Sequence, residues 1–405
     1  MGQRIDVQAT PLGEVAVFVM DRTLTGQDGH SYSEPPHGHS PADHLARRLF
    51  IEDGDIKNVF ISSNTVVVDR AYPWEEESLD AAIDVIADLF THHVIESREE
   101  AAERLRALHY NATISRIRAH HSDLWVLWAK PDGGVPEFKP GQYTTLGLGY
   151  WEERVDHVSE DFEEDPGLWE KMVRRSYSVS SSIVDDEGNL LPARGDEVEF
   201  YVVLVRPGEV ETPALTPRLF AKSEGDRIYM SRKFTGRYTL DGVESHHNVV
   251  LLATGTGEAP HNAMVAELLR QGHEGRILAA VTVRYRSDLA YLEQHQVVQA
   301  KYPNYTYVPM TTREPENLGN KVYIQDFILS GALEENLGAP LDPETTHVFV
   351  CGNPNMIGLP KWDEDDVPHF PDPLGVCQIL HERGFVIDHR KVRGNVHYEE
   401  YWKLQ

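Results

Sequence analysis

The hydrophobic pattern of the last part of the chain predicts a parallel β-sheet. From about Val243, uninterrupted apolar runs alternate with segments of helical periodicity. Strands in parallel sheets have such runs because helices cover both faces of the sheet. The pattern therefore predicts a doubly wound α/β domain over residues 243–405. Its clearest strands are Val249–Leu252, Ile277–Val283 and His347–Val350.

The middle of the chain has short strands separated by turns, a pattern that favours an antiparallel β-barrel. The predicted strands are Leu124–Trp128, Gln142–Leu146 and Val198–Val205. We assign this domain to residues 109–242. The acidic segment Trp151–Asp165 interrupts it. Because a run of like charges cannot be packed, we expect this segment to be an exposed insertion.

Residues 1–100 predict a small α+β module in which strands alternate with two helical segments. The strands are Val15–Met20, Asn58–Ile61 and Thr65–Val68. The second helix runs from Leu79, with its apolar residues on one face and Ser78 as the N-cap. A short linker helix over residues 101–108 is expected to follow.

Between the first strands, the segment His30–His44 is rich in Pro, Gly and Ser and predicts a loop. His37, His39 and His44 can bind a metal, but histidines in such a segment more often belong to a solvated loop. We therefore predict no metal site.

Composition narrows the function classes. The chain has 405 residues with 38 Lys plus Arg against 65 Asp plus Glu, a formal net charge of −27, which disfavours nucleic acid as a partner. Its two cysteines, Cys351 and Cys377, are too few for a disulfide scaffold or a four-thiolate cluster, and a reducing cytoplasm is expected. No apolar stretch approaches the roughly 18 residues of a membrane span, so no membrane insertion is expected.

A loop that contains glycines follows the strand at Val249. The sequence Thr254-Gly-Thr-Gly-Glu-Ala-Pro260 leads into a helical run that begins near His261. Glycines at this position let backbone N–H groups approach a phosphate, and the helix dipole adds attraction. Taken alone, the loop is equally well explained as a plain tight turn.

Four motifs in order identify a family. Arg175-Ser-Tyr-Ser178, the glycine loop, Cys351-Gly-Asn-Pro-Asn-Met-Ile357 and the final Glu399-Glu-Tyr-Trp402 resemble the ferredoxin–NADP reductases, especially the bacterial ferredoxin or flavodoxin–NADP reductases. The likeness covers residues 110–405. It implies an FAD-binding barrel followed by an NADP-binding α/β domain.

The resemblance implies an FAD site on the barrel. Arg175 would meet the FAD phosphates, Tyr177 would pack on the flavin and Ser178 would hydrogen-bond near N5. Leu215-Thr-Pro-Arg-Leu219 resembles the second flavin segment, where Thr216 would bind pyrophosphate, although that segment can equally be a capped helix start. A guanidinium suits pyrophosphate and an aromatic ring suits the flavin.

On the nucleotide side, the resemblance assigns dinucleotide contacts to seven side chains and two glycines, with His261 standing where many members have an aromatic residue. An NAD site usually offers an acid to the ribose 2′-hydroxyl, whereas a 2′-phosphate needs cations and hydroxyls, so NADP is favoured. The alternative for Arg313 and Lys321 is that both are solvated surface charges. The assigned residues are Gly255, Thr256, Gly257, Pro260, Arg284, Thr312, Arg313, Lys321 and Tyr323.

The family likeness places three further residues at the reaction centre and a fourth at the FAD adenine. Cys351 would lie beside the nicotinamide C4 and orient it rather than attack it, and Glu399 matches an active-centre carboxylate. Tyr401 would cover the flavin until nicotinamide displaces it, and Trp402 would lie against the FAD adenine. The alternative for Tyr401 and Trp402 is a structural strand, and Lys403–Gln405 extends past the family's usual end.

The function implied is FAD-dependent electron transfer between NADP(H) and ferredoxin or flavodoxin, by hydride transfer at flavin N5. The alternatives are a reductase component for an iron–sulfur assembly or oxygenase partner, and a non-catalytic adaptor. An acidic carrier would need a local basic rim on this acidic chain. The candidates are Lys171, Arg174, Arg232, Lys233, Arg237, Arg390, Lys391 and Arg393.

A second resemblance concerns the N-terminal module. Leu45–Ile51, Ile56–Ile61, Thr65–Asp69 and Trp74 resemble the N-terminal domain of Nfu-type iron–sulfur scaffold proteins. The Cys-x-x-Cys cluster domain of those scaffolds is absent. The resemblance implies an interaction module that recruits an iron–sulfur protein.

Overall fold

The computed structural model describes residues 5–26, 28–89, 97–156, 166–192, 195–206, 213–364, 366–389 and 392–401. These residues form two compact units, which we take in turn. The first unit contains residues up to 108 together with 149–152 and 159–172, and the second contains the remainder. Among the described residues, the helices are all too short or too polar to cross a bilayer.

The first unit contains a five-stranded antiparallel sheet with the order β1-β2-β5-β4-β3. The core lies between one face of this sheet and two helices, α1 and α2. Strands and helices have the following bounds: β1 (Val7–Leu12), β2 (Val15–Met20), β3 (Gly29–Tyr32), α1 (Pro41–Glu52), β4 (Ile56–Ser62), β5 (Thr65–Arg70), α2 (Glu76–Ala87) and α3 (Arg98–His109).

Three N-terminal predictions need correction. The predicted loop His30–His44 is interrupted by β3, which pairs with β4, and by α1, whose start is fixed by a capping box between Ser40 and Asp43. Ser78 is not the N-cap of α2, because Glu75 occupies that position and donates its backbone N–H to Ser78 Oγ at 3.1 Å. The linker helix is longer than residues 101–108. Phe90, which the helical pattern places on the apolar face of the second predicted helix, lies outside the described residues.

The acidic insertion is not uniformly exposed. Trp151 is 7% and Glu152 5% exposed, and Glu152 accepts hydrogen bonds from Arg106 at 2.9 and 3.3 Å. A carboxylate can be buried when a guanidinium neutralises it, and this cation comes from α3, distant in sequence. The repulsion between like charges in this segment therefore did not prevent the burial of its first two residues. Residues 157–165 lie outside the described part of the chain.

The second unit begins with a closed barrel of order β10-β7-β6-β11-β8-β9. The barrel confirms the antiparallel fold expected for the middle of the chain. Its elements are β6 (Ala112–His121), β7 (Leu124–Pro131), β8 (Tyr143–Gly149), β9 (Met172–Ser180), β10 (Val198–Val203), α4 (Leu215–Leu219) and β11 (Arg227–Met230).

A five-stranded sheet of order β14-β13-β12-β15-β18 follows, and every neighbouring pair in it is parallel. One hydrophobic cluster covers each face, with Val249 in one and Val250 in the other. The elements are β12 (Asn248–Thr254), α5 (Glu258–Arg270), β13 (Ile277–Val283), α6 (Leu292–Lys301), β14 (Tyr305–Thr311), α7 (Ile324–Leu329), α8 (Ala332–Leu337), β15 (Thr346–Gly352), α9 (Pro354–Ile357), β16 (Lys361–Trp362), β17 (Pro368–His369), α10 (Val376–Glu382) and β18 (Val396–Glu400). The expected doubly wound fold is confirmed.

Candidate functional site

The carboxyl ends of the five parallel strands meet at one edge of the sheet, where open α/β folds bind ligands. The residues that follow β12, β13, β14, β15 and β18 therefore gather there. They include Thr254–Gly257, Arg284, Thr312, Asn353 and Tyr401. This edge brings together residues from across about 150 positions of sequence, which is the usual way such sheets build a site.

The glycine loop is pressed against the loop after β15. A Cβ added to Gly257 would overlap the carbonyl oxygen of Cys351, and one added to Gly352 would overlap Thr254 Oγ1. The Asn353 backbone N–H donates to Thr254 Oγ1 at 2.8 Å. Gly255, by contrast, has a φ of +52°, and a Cβ there would meet nothing within 4 Å. One side of the loop is thus packed and the other is open.

The helix after this loop begins earlier than the sequence indicated. Gly255–Gly257 forms a 3-10 turn and α5 starts at Glu258, not near His261. His261 is 2% exposed, and its Nε2 lies 2.6 Å from the Tyr238 hydroxyl. Burial lowers the pKa of His261 to about 3, so the ring is neutral.

Three predicted reaction-centre residues meet a barrel residue at this edge. Cys351 and Glu399 are register partners in β15 and β18, and the Tyr401 side chain hydrogen-bonds both Cys351 and Ser178 of β9. Burial, then the Glu399 charge, raises the pKa of the Cys351 thiol well above its usual range. Both effects favour the protonated thiol over the nucleophilic thiolate. Burial raises the pKa of Glu399 to about 7.

The barrel supplies the remaining predicted flavin residues. Arg175 is exposed, and its Nη1 donates to the Arg174 carbonyl at 2.8 Å. Tyr177 is half-buried, with its ring edge-on to Phe200, and burial raises its pKa. Thr216 lies in the five-residue helix α4, where its Oγ1 accepts from the Val205 N–H at 3.0 Å.

The predicted 2′-phosphate residues lie beyond β13 and β14. Thr312 is buried and donates Oγ1 to the Val283 carbonyl at 3.2 Å, while the Arg313 N–H donates to the Arg284 carbonyl at 2.8 Å. This pairing brings the two arginines onto adjacent chain segments. Lys321 and Tyr323 are exposed just before α7, with Tyr323 as its N-cap residue.

Several predicted residues are placed differently or fall outside the description. Trp402 and the extension 403–405 lie outside the described residues, as do Arg390 and Lys391 of the basic rim. Arg393 donates to the carbonyls of Arg237, Thr239 and Asp241 at 3.0, 2.6 and 2.8 Å. Its guanidinium is therefore engaged in binding the chain segment after the barrel.

Sequence reasoning missed Tyr238 and a buried polar network between the barrel and the sheet domain. Tyr291 donates to Glu199 Oε1 at 2.6 Å and lies 3.0 Å from Ser180 Oγ, while Tyr201 donates to the Asp288 carbonyl at 2.8 Å. Pairs of this kind leave no local periodicity, because the partners come from distant strands. The one available signal was a buried-strand pattern that contained a charged residue, Glu199.

Comparisons with known proteins agree on the sheet domain. A family model described as oxidoreductase NAD-binding domain matches residues 251–360. The flavodoxin/ferredoxin–NADP reductase of Escherichia coli (strain K12) is 30% identical over 224 residues, which cover 55% of this chain and 77% of that protein. The flavodoxin/ferredoxin–NADP reductase of Rhodobacter capsulatus is 30% identical over 254 residues, 60% of this chain and 80% of that protein.

A solved structure has the same fold. The crystal structure of a ferredoxin NADP+ reductase from Neisseria gonorrhoeae with bound FAD and NADP matches 72% of this chain and 98% of that chain, with a TM-score of 0.53 and 20% identity. At this identity the likeness shows the fold alone.

Proposed function

The chain belongs to the flavodoxin/ferredoxin–NADP reductase family, and we propose that it is an FAD-dependent enzyme that moves electrons between NADP(H) and a one-electron carrier, ferredoxin or flavodoxin. The observation that carries the proposal is the meeting of Ser178 with Cys351, Glu399 and Tyr401 beside the glycine loop. A barrel residue and three sheet-edge residues converge there, as a reaction between a barrel-bound and a sheet-bound cofactor requires.

The residues present fit FAD. Arg175 offers an exposed guanidinium to a pyrophosphate, and the half-buried Tyr177 ring offers a flat apolar surface to a flavin. Thr216 uses its oxygen to accept a backbone bond, which leaves its hydroxyl hydrogen to donate to a phosphate. Bound FAD supplies the exchange between two-electron and one-electron redox chemistry.

The residues present also fit NADP(H). The open side of Gly255 gives a phosphate access to the loop, and the N-terminus of the 13-residue helix α5 favours an anion there. Thr256, Pro260 and Arg284 would complete the pyrophosphate site. Thr312, Arg313, Lys321 and Tyr323 would hold the 2′-phosphate and adenine.

At the reaction centre, the chain's own groups would orient the reactants and exclude water. Ser178 would offer its hydroxyl to the flavin, and Cys351 would present a neutral, packed surface to the nicotinamide. Tyr401, whose hydroxyl bonds Ser178 and Cys351, would cover the flavin in the absence of nicotinamide. Glu399 would hold a proton up to a pH of about 7. Trp402 would contact the FAD adenine.

The proposal is tested by purifying the protein and measuring its flavin and its reductase activity. We expect one FAD per chain, and NADPH oxidation that reduces ferricyanide, ferredoxin and flavodoxin. Protein that cannot be reconstituted with FAD would favour the adaptor alternative. Activity restricted to one dedicated iron–sulfur acceptor would favour the reductase-component alternative.

We further propose that residues 1–100 form an Nfu-like module that binds an iron–sulfur protein, with the FAD domain at 109–242 and the NADP domain at 243–405. Support comes from the segments that resemble the scaffold proteins, which lie in α1, β4 and β5 around one core. The sheet face opposite α1 and α2 offers a surface, because Val19 and Phe60 are each 42% exposed. Weaker affinity for an iron–sulfur acceptor after substitution of this face would support the proposal.

We also propose a cytoplasmic location. Cys351 and Cys377 are free, buried thiols. A reducing compartment maintains thiols in that state. Fractionation of cells that produce the protein tests this directly.

A further inference from the structure

The first turn of α5 contains a buried carboxylate. Glu258 follows Gly257 directly and is 3% exposed. Its Oε1 accepts a hydrogen bond from the Tyr307 hydroxyl at 2.7 Å, and His295 Nε2 lies 3.3 Å from the same oxygen. His295 Nδ1 lies 2.7 Å from the Tyr305 hydroxyl. The carboxylate is thus part of a buried chain of four polar side chains.

The surrounding elements keep this carboxylate in place. β14 supplies Tyr305 and Tyr307, and α6 supplies His295, whose ring stacks on Tyr307 with centroids 4.0 Å apart. Burial first, and the charge of Glu258 second, raises the pKa of both tyrosines, so their hydroxyls remain hydrogen donors. Among the residues that the structure describes, no lysine or arginine forms an ion pair with Glu258.

The position of Glu258 has an electrostatic consequence for the glycine loop. The N-terminus of a helix attracts a phosphate through its N–H groups and its dipole. A carboxylate in that same turn carries the opposite charge to the dipole's positive end and repels the phosphate. In a buried setting this repulsion is screened little.

We propose that Glu258 is an affinity-determining residue that weakens the binding of the NADP(H) pyrophosphate at the glycine loop. His295, Tyr305 and Tyr307 act as positioning residues that hold the carboxylate there. The inference rests on the proposed function. Its consequence is that the dinucleotide dissociates readily from this chain after the reaction.

Calorimetric titration of the FAD-containing protein with NADP+ tests the proposal. Glu258→Gln keeps an oxygen that can accept from Tyr307 but removes the charge, so we expect NADP+ to bind roughly tenfold more tightly. Glu258→Met removes the charge without an amide and should also tighten binding. The matched control is Glu267→Gln, in the last turn of the same helix beside Arg270, which should change the affinity less than twofold.

Adenosine 2′-monophosphate separates a charge effect from a structural one. It carries a 2′-phosphate for Arg313 and Lys321 but no pyrophosphate for the glycine loop. We expect its affinity to differ less than twofold between the wild type and Glu258→Gln. A residue with a purely structural role would instead change both ligands together.

Unchanged or weaker NADP+ binding by both variants would overturn the inference, as would equal tightening of adenosine 2′-monophosphate. Loss of FAD from both variants would make Glu258 a folding residue and would also overturn it. A wild-type protein that binds neither FAD nor NADP+ would overturn the proposed function and the inference with it. Wild-type binding with unaltered variants would overturn the inference alone.

Discussion

The molecule contains two five-stranded sheets that use their surfaces in opposite ways. The parallel sheet is covered on both faces, and every residue of β13 is buried. Helices α1 and α2 cover one face of the antiparallel sheet of the first unit, and β2 alternates between buried Ala16, Phe18 and Met20 and more exposed valines. The parallel sheet therefore has only the ends of its strands available for binding ligands. The antiparallel sheet also has an exposed face.

The two sheets therefore differ in where they can form a binding site. In a parallel sheet, the carboxyl ends of all strands lie at the same edge, so polar residues far apart in sequence gather there. An antiparallel sheet sends alternate strand ends to opposite edges, and no comparable gathering follows. We therefore propose the carboxyl edge of the parallel sheet for the redox chemistry and the face of the antiparallel sheet for partner binding.

We expect the largest effect on the reductase rate from a substitution that disrupts the packing of the glycine loop at the edge of the parallel sheet. Gly257→Ala would force the loop away from the Cys351 carbonyl, and a displacement of about 1 Å can cost a hundredfold in rate. We expect NADPH-driven ferricyanide reduction to fall about a hundredfold. Gly272→Ala, at a φ of +68° with open space around it, is the control. It should lower stability by about 1 kcal/mol and leave the rate within twofold.

The carboxyl of Glu399 makes the same edge sensitive to pH. Burial raises its pKa from 4.5 to about 7, so the folded state binds a proton that the unfolded state releases. Stability therefore falls as the pH rises from about 4.5 through 7, by up to about 3 kcal/mol. We expect Glu399→Gln to be more stable than wild type at pH 8.5 and within ~1 kcal/mol of it at pH 5. Urea unfolding at both values measures this, and equal stabilities at pH 8.5 would contradict it.

A smaller effect is expected at the 2′-phosphate residues. If Arg313 and Lys321 bind the 2′-phosphate as proposed, Arg313→Ala or Lys321→Ala would remove a charge-assisted hydrogen bond, which should lower kcat/KM for NADPH roughly tenfold or more and leave that for NADH unchanged. Arg276→Ala is the matched control, since Arg276 precedes β13 at the opposite edge of the sheet. An equal loss with both nucleotides would show a structural effect instead.

The smallest effect on the reductase reaction should come from the other sheet. Phe60→Ser changes the open face of the first unit, so NADPH oxidation with ferricyanide should stay within twofold. Its KM for an iron–sulfur protein acceptor should rise if this face binds partners. Lys57→Ser, on the same strand, serves as a control for a change at a polar exposed position. An unaltered KM with Phe60→Ser would contradict the proposal that this face of the first unit binds partners.

The same contrast explains what the sequence could predict. The strand Ile277–Val283 was predicted with its observed bounds, because seven consecutive apolar residues have few uses other than a buried strand. The N-cap at Glu75 and the burial of Glu152 were missed, because each depends on a partner rather than on a pattern. Local periodicity predicts helices and strands, but it carries no information on which residues of different helices and strands contact each other.

The candidate site divides in the same way. Cys351, Glu399 and Tyr401 were identified through the family resemblance, and the strand register brings Cys351 and Glu399 side by side. Glu258 lies inside the motif that was singled out, yet its contacts with His295 and Tyr307 come from later elements. Tyr238 had no sequence signal, since its contact with His261 depends on how the chain before β12 packs against α5.

Rapid mixing of the FAD-containing protein with NADPH, and separately with NADH, under anaerobic conditions shows whether the edge of the parallel sheet is the reaction centre. We expect fast bleaching of the flavin absorbance by NADPH and bleaching at least tenfold slower by NADH, because Arg313 and Lys321 would bind the 2′-phosphate. No bleaching by either nucleotide, in protein with its flavin bound, would contradict the claim that the edge of the parallel sheet is the reaction centre.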